Sequence, residues 1–444
     1  MQKRPIFTMR LLTSYTISMK RLFITLFSII VVTAHVFAQQ ADSQVGGLIN
    51  AGDWFELQRV YPDVKDKVQT PMLKQMAEVM LASNFNRPQE LREKLPRLIA
   101  AHQAEIGFES VCNMVITGAT VEGFNGNYAA AADMVKNIAD AVKGAGGSLQ
   151  GSGIEELLKY YDAIRNLPAP LLKKPDTDVK IALSAASDTL LYIPVNINGK
   201  TYDFILDTGA SLSLISLNLA KEIGAQMVEN SIFVGGATGG GNLQRAFIEE
   251  MNIGPISYKN VLTFVDNSPA PAEVSFTVDA ILGMDFIKRL GEIQIDMVDM
   301  TLVIPAHRTA TPGYGRNILL DQNIPIVEVV DARGNRMTFT LDTGHSGADL
   351  SDLWSSKNAK TTSGLPTETQ NSWGHGGISR RQIVKVPEYT LTIGDTPATF
   401  SSMPAHIPAE GTAVSSRDGN LGIELLKKFK RIIINLDEMF VKFE

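Results

Sequence analysis

Between about residues 44 and 166 the apolar side chains recur at three- and four-residue spacing without alternating runs, a pattern that predicts helices packed on one another. Two segments of this region resemble each other, Ala51-Gly52-Asp53-Trp54-Phe55-Glu56-Leu57 and Asn125-Gly126-Asn127-Tyr128-Ala129-Ala130-Ala131. In each, Gly followed by Asp or Asn is a helix start. A Gly-rich stretch over 144–153 interrupts the pattern, and Pro168, Pro170 and Pro175 with Lys173 and Lys174 end it as a linker. Beyond residue 175 the texture changes to short alternating apolar runs separated by Gly, Pro and Asn, which predicts a β-rich fold. Runs over 191–197 and 201–206 flank Asn198-Gly199, a dipeptide suited to the positive φ values of a tight hairpin, and that hairpin leads straight into Asp207.

The β-rich region contains one arrangement twice. Ile193-Pro194-Val195 precedes Phe204-Ile205-Leu206-Asp207-Thr208-Gly209-Ala210-Ser211, and Ile324-Pro325-Ile326 precedes Phe339-Thr340-Leu341-Asp342-Thr343-Gly344-His345-Ser346. Further on, Ile281-Leu282-Gly283-Met284-Asp285-Phe286 is answered by Asn420-Leu421-Gly422-Ile423-Glu424-Leu425. The closing segments agree in the same register, Ile295-Asp296-Met297-Val298-Asp299-Met300 with Ile434-Asn435-Leu436-Asp437-Glu438-Met439. Between these landmarks each copy carries a glycine cluster, Gly235-Gly236-Ala237-Thr238-Gly239-Gly240-Gly241 and Gly374-His375-Gly376-Gly377. Glycine lets a hairpin tip bend and approach a ligand backbone closely. Neither cluster is followed by the Lys-Ser/Thr pair that a phosphate-cradling loop needs.

A hydrophobic strand ending in Asp-Thr-Gly, a Gly-rich hairpin and a late hydrophobic-Leu-Gly motif together resemble the retropepsin-like aspartic proteases, duplicated within one chain. The resemblance covers roughly residues 178–444. It implies two all-β retropepsin-like acid-protease lobes, and with the helical spacing before them the expected fold is an N-terminal all-α helical domain followed by those two lobes. The expected organisation is a signal peptide over 1–38, an α-helical repeat-like domain and linker over 39–175, a first lobe over 176–310 and a second over 311–444. The helical part is similar to the helix pairs of tetratricopeptide-like repeats, without their full signature. Recruitment of a protein partner or self-association through it, and a plain structural cap, both remain open.

By the same resemblance, the chain is an aspartic endopeptidase whose catalytic pair is Asp207 and Asp342, acting on a peptide or protein without cofactor or metal. Two close carboxylates share one proton, so one serves as base toward water and the other as acid toward the amide. Thr208 and Thr343 are expected to hydrogen-bond between the two loops, Gly209 and Gly344 to allow tight turns, and Gly283 and Gly422 to pack beneath them. Gly239, Gly240, Gly376 and Gly377 are the expected substrate-covering flaps. His345 stands where the family has Ala, Ser or Thr. As a cation it would favour ionised Asp342 and disturb proton sharing, whereas pointing outward it would matter little. A catalytically inactive peptide-binding or scaffolding protein using the same cleft is the alternative reading.

Composition narrows the remaining classes. With 44% hydrophobic and 20% charged side chains the chain is globular, and a net charge of -6 without long blocks of one sign argues against nucleic acid as a partner. Lys20 and Arg21 precede an apolar run over 22–34, and Val36-Phe37-Ala38 offers a cleavage site before Gln39. That run is shorter than the roughly 20 residues that span a bilayer, so a cleaved signal, no lasting membrane anchor and a periplasmic or secreted location are expected. Met19 offers an alternative start. The lone cysteine, Cys112, sits among apolar residues and is expected to be a buried thiol. The six histidines lack metal-ligand spacing and the serines lack a nucleophile elbow, so metalloprotease and serine hydrolase chemistry are not expected.

Overall fold

A computed structural model describes residues 39–444 except 151–152, 187–189, 237–238, 268–277, 375–376, 410 and 412–413. The expected signal segment over 1–38 lies outside the described residues. The chain forms a helical region followed by β-rich sheets, and it divides into two compact units, one of residues up to Gly123 with Asn127–Arg165, the other of 124–126 with Asn166–Glu444.

The first unit carries helices α1 (Gln39–Ala51), α2 (Trp54–Val64), α3 (Pro71–Asn84), α4 (Pro88–Ile106), α5 (Phe108–Phe124), α6 (Tyr128–Gly144) and α7 (Gly153–Ile164). The two similar sequence segments are both helix starts. Gly52 and Gly126 turn the chain at positive φ, and Asp53 and Asn127 take the N-cap positions of α2 and α6. Asp53 accepts from the Glu56 amide at 3.0 Å. Asn127 instead donates to the buried Glu122 carboxylate at 2.6 Å, which also takes two N–H donors of Arg92 at 2.8 and 2.7 Å. Proline begins α3 and α4, where its missing N–H has no partner to lose. Cys112 is buried on α5, and burial pushes its thiol up.

Among the described residues the second unit is built from three sheets. In a nine-stranded sheet, Lys200–Leu206 lies parallel to Ala280–Leu282, which runs antiparallel to Leu214–Ser216, which in turn lies parallel to Ile256–Asp266. An eight-stranded sheet repeats that order with Arg336–Leu341, Gly419–Leu421, Ala348–Leu350 and Thr396–His406. Strands Leu190–Ile197 and Lys200–Leu206 join through Asn198 at φ 54° and Gly199 at φ 82°, the left-handed pair of a tight hairpin. The corresponding turn of the second sheet, between Ile324–Asp331 and Arg336–Leu341, has Gly334 at φ 84°, while Gln322 and Asn323, at φ 50° and 68°, turn the preceding hairpin between Ile318–Asp321 and Ile324–Asp331. The proline-rich stretch after the helices, read from sequence as a linker, adds an edge strand, Leu171–Lys173, to the first sheet.

A five-stranded sheet joins the two halves of this unit. Its central pair is Glu292–Asp296 from the first half and Arg431–Asn435 from the second, antiparallel. The register is reciprocal: Ile293 faces Ile434, while their equivalents in the other copy, Ile432 and Ile295, face each other. All four are buried, so the joint is a stripe of branched apolar side chains closed by ladder hydrogen bonds. At its end the fully buried Glu292 accepts from Asn435 Nδ2 at 2.8 Å, the Thr309 amide at 2.8 Å, Thr309 Oγ1 at 2.6 Å and Gln294 Nε2 at 2.9 Å. A buried carboxylate stripped of a donor loses its compensation for leaving water. Asn435→Ala is therefore expected to destabilise the protein by roughly 1–3 kcal/mol, read as a lower urea midpoint at unchanged slope.

Candidate active site

Each Asp-Thr-Gly begins where a buried strand ends. Leu206 and Leu341 are buried, and the next amide is caught by the neighbouring parallel strand: Asp207 N donates to Leu282 O at 3.1 Å, and Asp342 N to Leu421 O at 2.9 Å. The two loops then meet. Thr208 N donates to Thr343 Oγ1 and Thr343 N to Thr208 Oγ1, both at 3.0 Å. Each hydroxyl passes its proton onward across the pair, Thr208 Oγ1 to Leu341 O at 2.7 Å and Thr343 Oγ1 to Leu206 O at 2.5 Å. Both threonines are fully buried, so every group in this network is satisfied in the absence of solvent.

The threonine exchange seats each aspartate over the glycine of the other loop. A methyl group on Gly209 would lie 2.3 Å from Asp342 Oδ1, and one on Gly344 would lie 2.3 Å from Asp207 Cγ. Gly283 and Gly422 leave room for the loops' own backbone: a methyl would lie 2.8 Å from Ala210 O in the first half and 2.0 Å from His345 O in the second. Both adopt ordinary extended backbone, so space and not φ excludes a side chain there. Gly239 and Gly240 pair with Gly236 and Gly235 at the tip of the hairpin formed by Gln226–Gly236 and Gly239–Ile253. Gly377 pairs with Gly374 at the tip of the second hairpin, and Gly376 lies outside the described residues.

The carboxyl groups are thus held together in a partly closed space. Burial pushes the Asp207 carboxyl well above the usual carboxylate range, and the neighbouring Asp342 charge pushes it further, against the Gly209 and Ala210 amides that favour the anion. Those amides both donate to Oδ1 of Asp207, at 2.7 and 3.2 Å. On Asp342, Gly344 N donates to Oδ1 at 3.0 Å and Asn420 Nδ2 to Oδ2 at 3.1 Å.

The His345 ring is held by Asp349, with Nε2 3.0 Å from Oδ2 of that carboxylate. His406, at the end of strand Thr396–His406, approaches the other oxygen at 3.6 Å. The side chains keep only 26%, 13% and 10% exposure for His345, Asp349 and His406. Burial alone would raise the Asp349 carboxyl, but the hydrogen bonds and charges of the two histidines outweigh it and bring it to about 2. Burial likewise favours neutral His345, yet Asp349 beside it, with Asp342 and Glu424 adding to the effect, raises the imidazole above its usual value. The first half is different at the same places. It has Ala210 and Leu214, and it anchors its loop through Ser213, whose N–H and Oγ both donate to the buried Asp285 at 2.8 Å.

Residues 193–289 match the model of the family described as "gag-polyprotein putative aspartyl protease". Two relatives, each the DNA damage-inducible protein 1 of a strain of Cryptococcus neoformans var. neoformans serotype D, are 25% identical to the chain over 172 residues. The alignment covers 38% of this chain and 36% of each relative, so the chain spans about a third of their length. Over residues 193–289 the chain is thus similar to the retropepsin-like aspartyl proteases. Asp207 and Gly283 lie inside the match to the protease family; Asp342 and Gly422 lie beyond it, in the half that repeats its strand order.

The structure brings Asp207, Thr208, Gly209, Asp342, Thr343 and Gly344 into one network, with Gly283 and Gly422 against its two loops. Asn420, Asp349, His406, Ser213 and Asp285 were not picked out from the sequence. A signal existed for two of these positions: with the two copies aligned, Leu214 and Ile281 become Asp349 and Asn420, beside the change from Ala210 to His345 already noted.

Two outcomes follow. Thr208→Val leaves the Thr343 amide and the Leu341 carbonyl buried and unpaired, so it is expected to lower stability by roughly 2–5 kcal/mol, with Thr208→Ser near wild type in chemical denaturation. Asp349, with its ordinary value of 3.8 lowered to about 2, contributes about 2 kcal/mol of stability that is present above pH 4 and lost as the pH falls toward 2. The raised His345 describes the same interaction from the other side, giving stability present below its ordinary 6.5 and lost as pH rises through its higher folded value. The stability gap between wild type and Asp349→Asn is thus expected to be widest between about pH 4 and 6.5 and to narrow on both sides, as urea titrations across pH would read.

Proposed function

We propose that the chain is an exported aspartic endopeptidase in which two retropepsin-like lobes each supply one aspartate of a single dyad, Asp207 and Asp342. The observation that carries this reading is the reciprocal seat of each carboxyl on the other loop's glycine, locked by the Thr208–Thr343 exchange. A binding site has no need of two like charges forced together, whereas proton sharing requires it.

In the reaction, the ionised member of the pair takes a proton from a water molecule as its oxygen attacks the scissile carbonyl carbon, and the protonated member gives its proton to the carbonyl oxygen. The neutral gem-diol then collapses: the amide nitrogen receives a proton, the C–N bond breaks, and a carboxylic acid and an amine leave, with the dyad again holding one proton. The substrate lies extended beneath the two glycine-tipped hairpins, whose main-chain groups pair with its backbone while alternating side chains enter pockets. The apolar segment before Gln39 acts as a cleaved signal, directing the protein to the periplasm or outside the cell, and the helical unit offers a surface for a protein partner.

The test is cleavage of a mixed peptide library by the mature protein between pH 3 and 8, beside Asp207→Asn and Asp342→Asn. Cutting by the wild type and loss of cutting in both variants is expected; wild-type protein that binds peptides without cutting at any pH rejects the reading. Inactivity must not come from unfolding, and here the direction is opposite. Because the Asp207 carboxyl is raised in the folded state, its contribution to stability is present below its ordinary 3.8 and lost as pH rises through the folded value. Asp207→Asn is therefore expected to be inactive and, at neutral pH, more heat-stable than wild type.

A further inference from the structure

The two halves present equivalent aspartates to each other with unequal surroundings. Among the described residues four N–H donors reach the carboxyls, and they are distributed unevenly. Both oxygens of Asp342 accept an N–H, Oδ1 from Gly344 and Oδ2 from Asn420. On Asp207 both N–H donors converge on Oδ1. A protonated carboxyl oxygen cannot face an N–H donor in the same line without losing that bond, because both would be presenting hydrogen. Of the four oxygens, Oδ2 of Asp207 is the one on which a proton displaces no N–H donor among the described contacts. From there the O–H can donate to Asp342, with which Asp207 shares a side-chain hydrogen bond.

The asymmetry continues outward. Asn420 stands where the first half has Ile281, so the donor to Oδ2 of Asp342 has no counterpart on the Asp207 side. Across the strand register from Asn420 lies Asp349, which anchors the His345 ring one residue beyond the second Asp-Thr-Gly. The groups facing this side are Asp207, Asp349, His406 and Glu424. The His345 imidazole interacts electrostatically with Asp342 and is held in place by the Asp349 carboxylate, whose other oxygen faces His406. The first half offers Ala210 and Leu214 at the equivalent positions, with no charge.

We propose that Asn420 and the His345–Asp349–His406 cluster are positioning residues that make the dyad directional, keeping Asp342 as the carboxylate and placing the shared proton on Oδ2 of Asp207. This rests on the reading that the two aspartates act together on one substrate. It assigns the roles: Asp342 is the base toward water and Asp207 the acid toward the carbonyl oxygen, so the peptide chain has one productive direction across the site.

The experiment is infrared difference spectroscopy of the full mature chain with aspartate carboxyls labelled with carbon-13, titrated from pH 3 to 8 in the Asp207→Asn and Asp342→Asn backgrounds, where a single dyad carboxyl remains. It needs no substrate. The protonated carboxyl band of Asp207, left alone in Asp342→Asn, is expected to persist to higher pH than the band of Asp342, left alone in Asp207→Asn. The reverse order, or coincident titrations, overturns the assignment. In the Asp207→Asn background, adding Asn420→Ile is expected to move the Asp342 titration upward, while Asn420→Ser, which keeps a donor, moves it less; no shift with Asn420→Ile removes Asn420 from the device. In otherwise wild-type protein, the double change His345→Ala with Asp349→Leu installs the first half's residues without leaving a lone buried charge. It is expected to shift the acid limb of kcat/KM to higher pH, and an unmoved limb overturns the role of the cluster. If no peptide is cut while the titration order holds, the protease reading falls and the assignment stands. If peptides are cut and the order is reversed, the assignment alone falls.

Discussion

Two carboxyl groups that repel each other must be kept side by side, and the exchange between Thr208 and Thr343 is what opposes that repulsion. Its strength lies in being fully satisfied and fully buried. Each hydroxyl accepts an amide from the facing loop and donates to the strand that delivers it, so moving either loop alone strands polar groups away from water. Each such group costs about 1–3 kcal/mol when left unpaired. The loops therefore keep their spacing together or lose it together, and the glycine seats beneath the aspartates translate that spacing into carboxyl proximity.

The rest of the unit keeps the exchange in register. Below, the paired closing strands lock the halves through a reciprocal isoleucine stripe and the Glu292 network. Above, the turn at Gln322 and Asn323 reaches across to the first loop: Ser211 Oγ donates to Gln322 O at 2.9 Å, and Asn323 Nδ2 donates to Ser211 O at 2.9 Å. A side chain that can adopt positive φ and still donate is needed there, which Asn supplies. The site is thus clamped from two directions by contacts between residues far apart in sequence.

How much of this was legible beforehand depended on range. Local signals read well: Asn198-Gly199 made its hairpin, and the two glycine-led segments opened helices. The Asp-Thr-Gly and Leu-Gly motifs lay at strand ends because short buried runs led into them. Signals that depend on register did not. Nothing about Asp349, Asn420 or His406 taken singly marks them, and they meet only because Ala348–Leu350 pairs with Gly419–Leu421 on one side and with Thr396–His406 on the other. His345 showed the same limit: its residue type suggested a charge beside Asp342, but the direction of its ring was set by a partner four residues on. The proline-rich stretch gave no sign of its edge strand, because strand pairing at an edge asks little of the sequence.

The two copies sit in a single polypeptide, and this has a consequence for what mutation can build. When a site is formed by two identical chains about a twofold axis, every substitution appears on both sides at once. A histidine installed beside one carboxyl would be installed beside the other, and any bias would cancel. Position 345 differs from position 210, and 420 from 281, because each is encoded separately. Having both copies in one chain turns symmetry from a rule into a starting point, from which the two sides can be tuned apart one residue at a time.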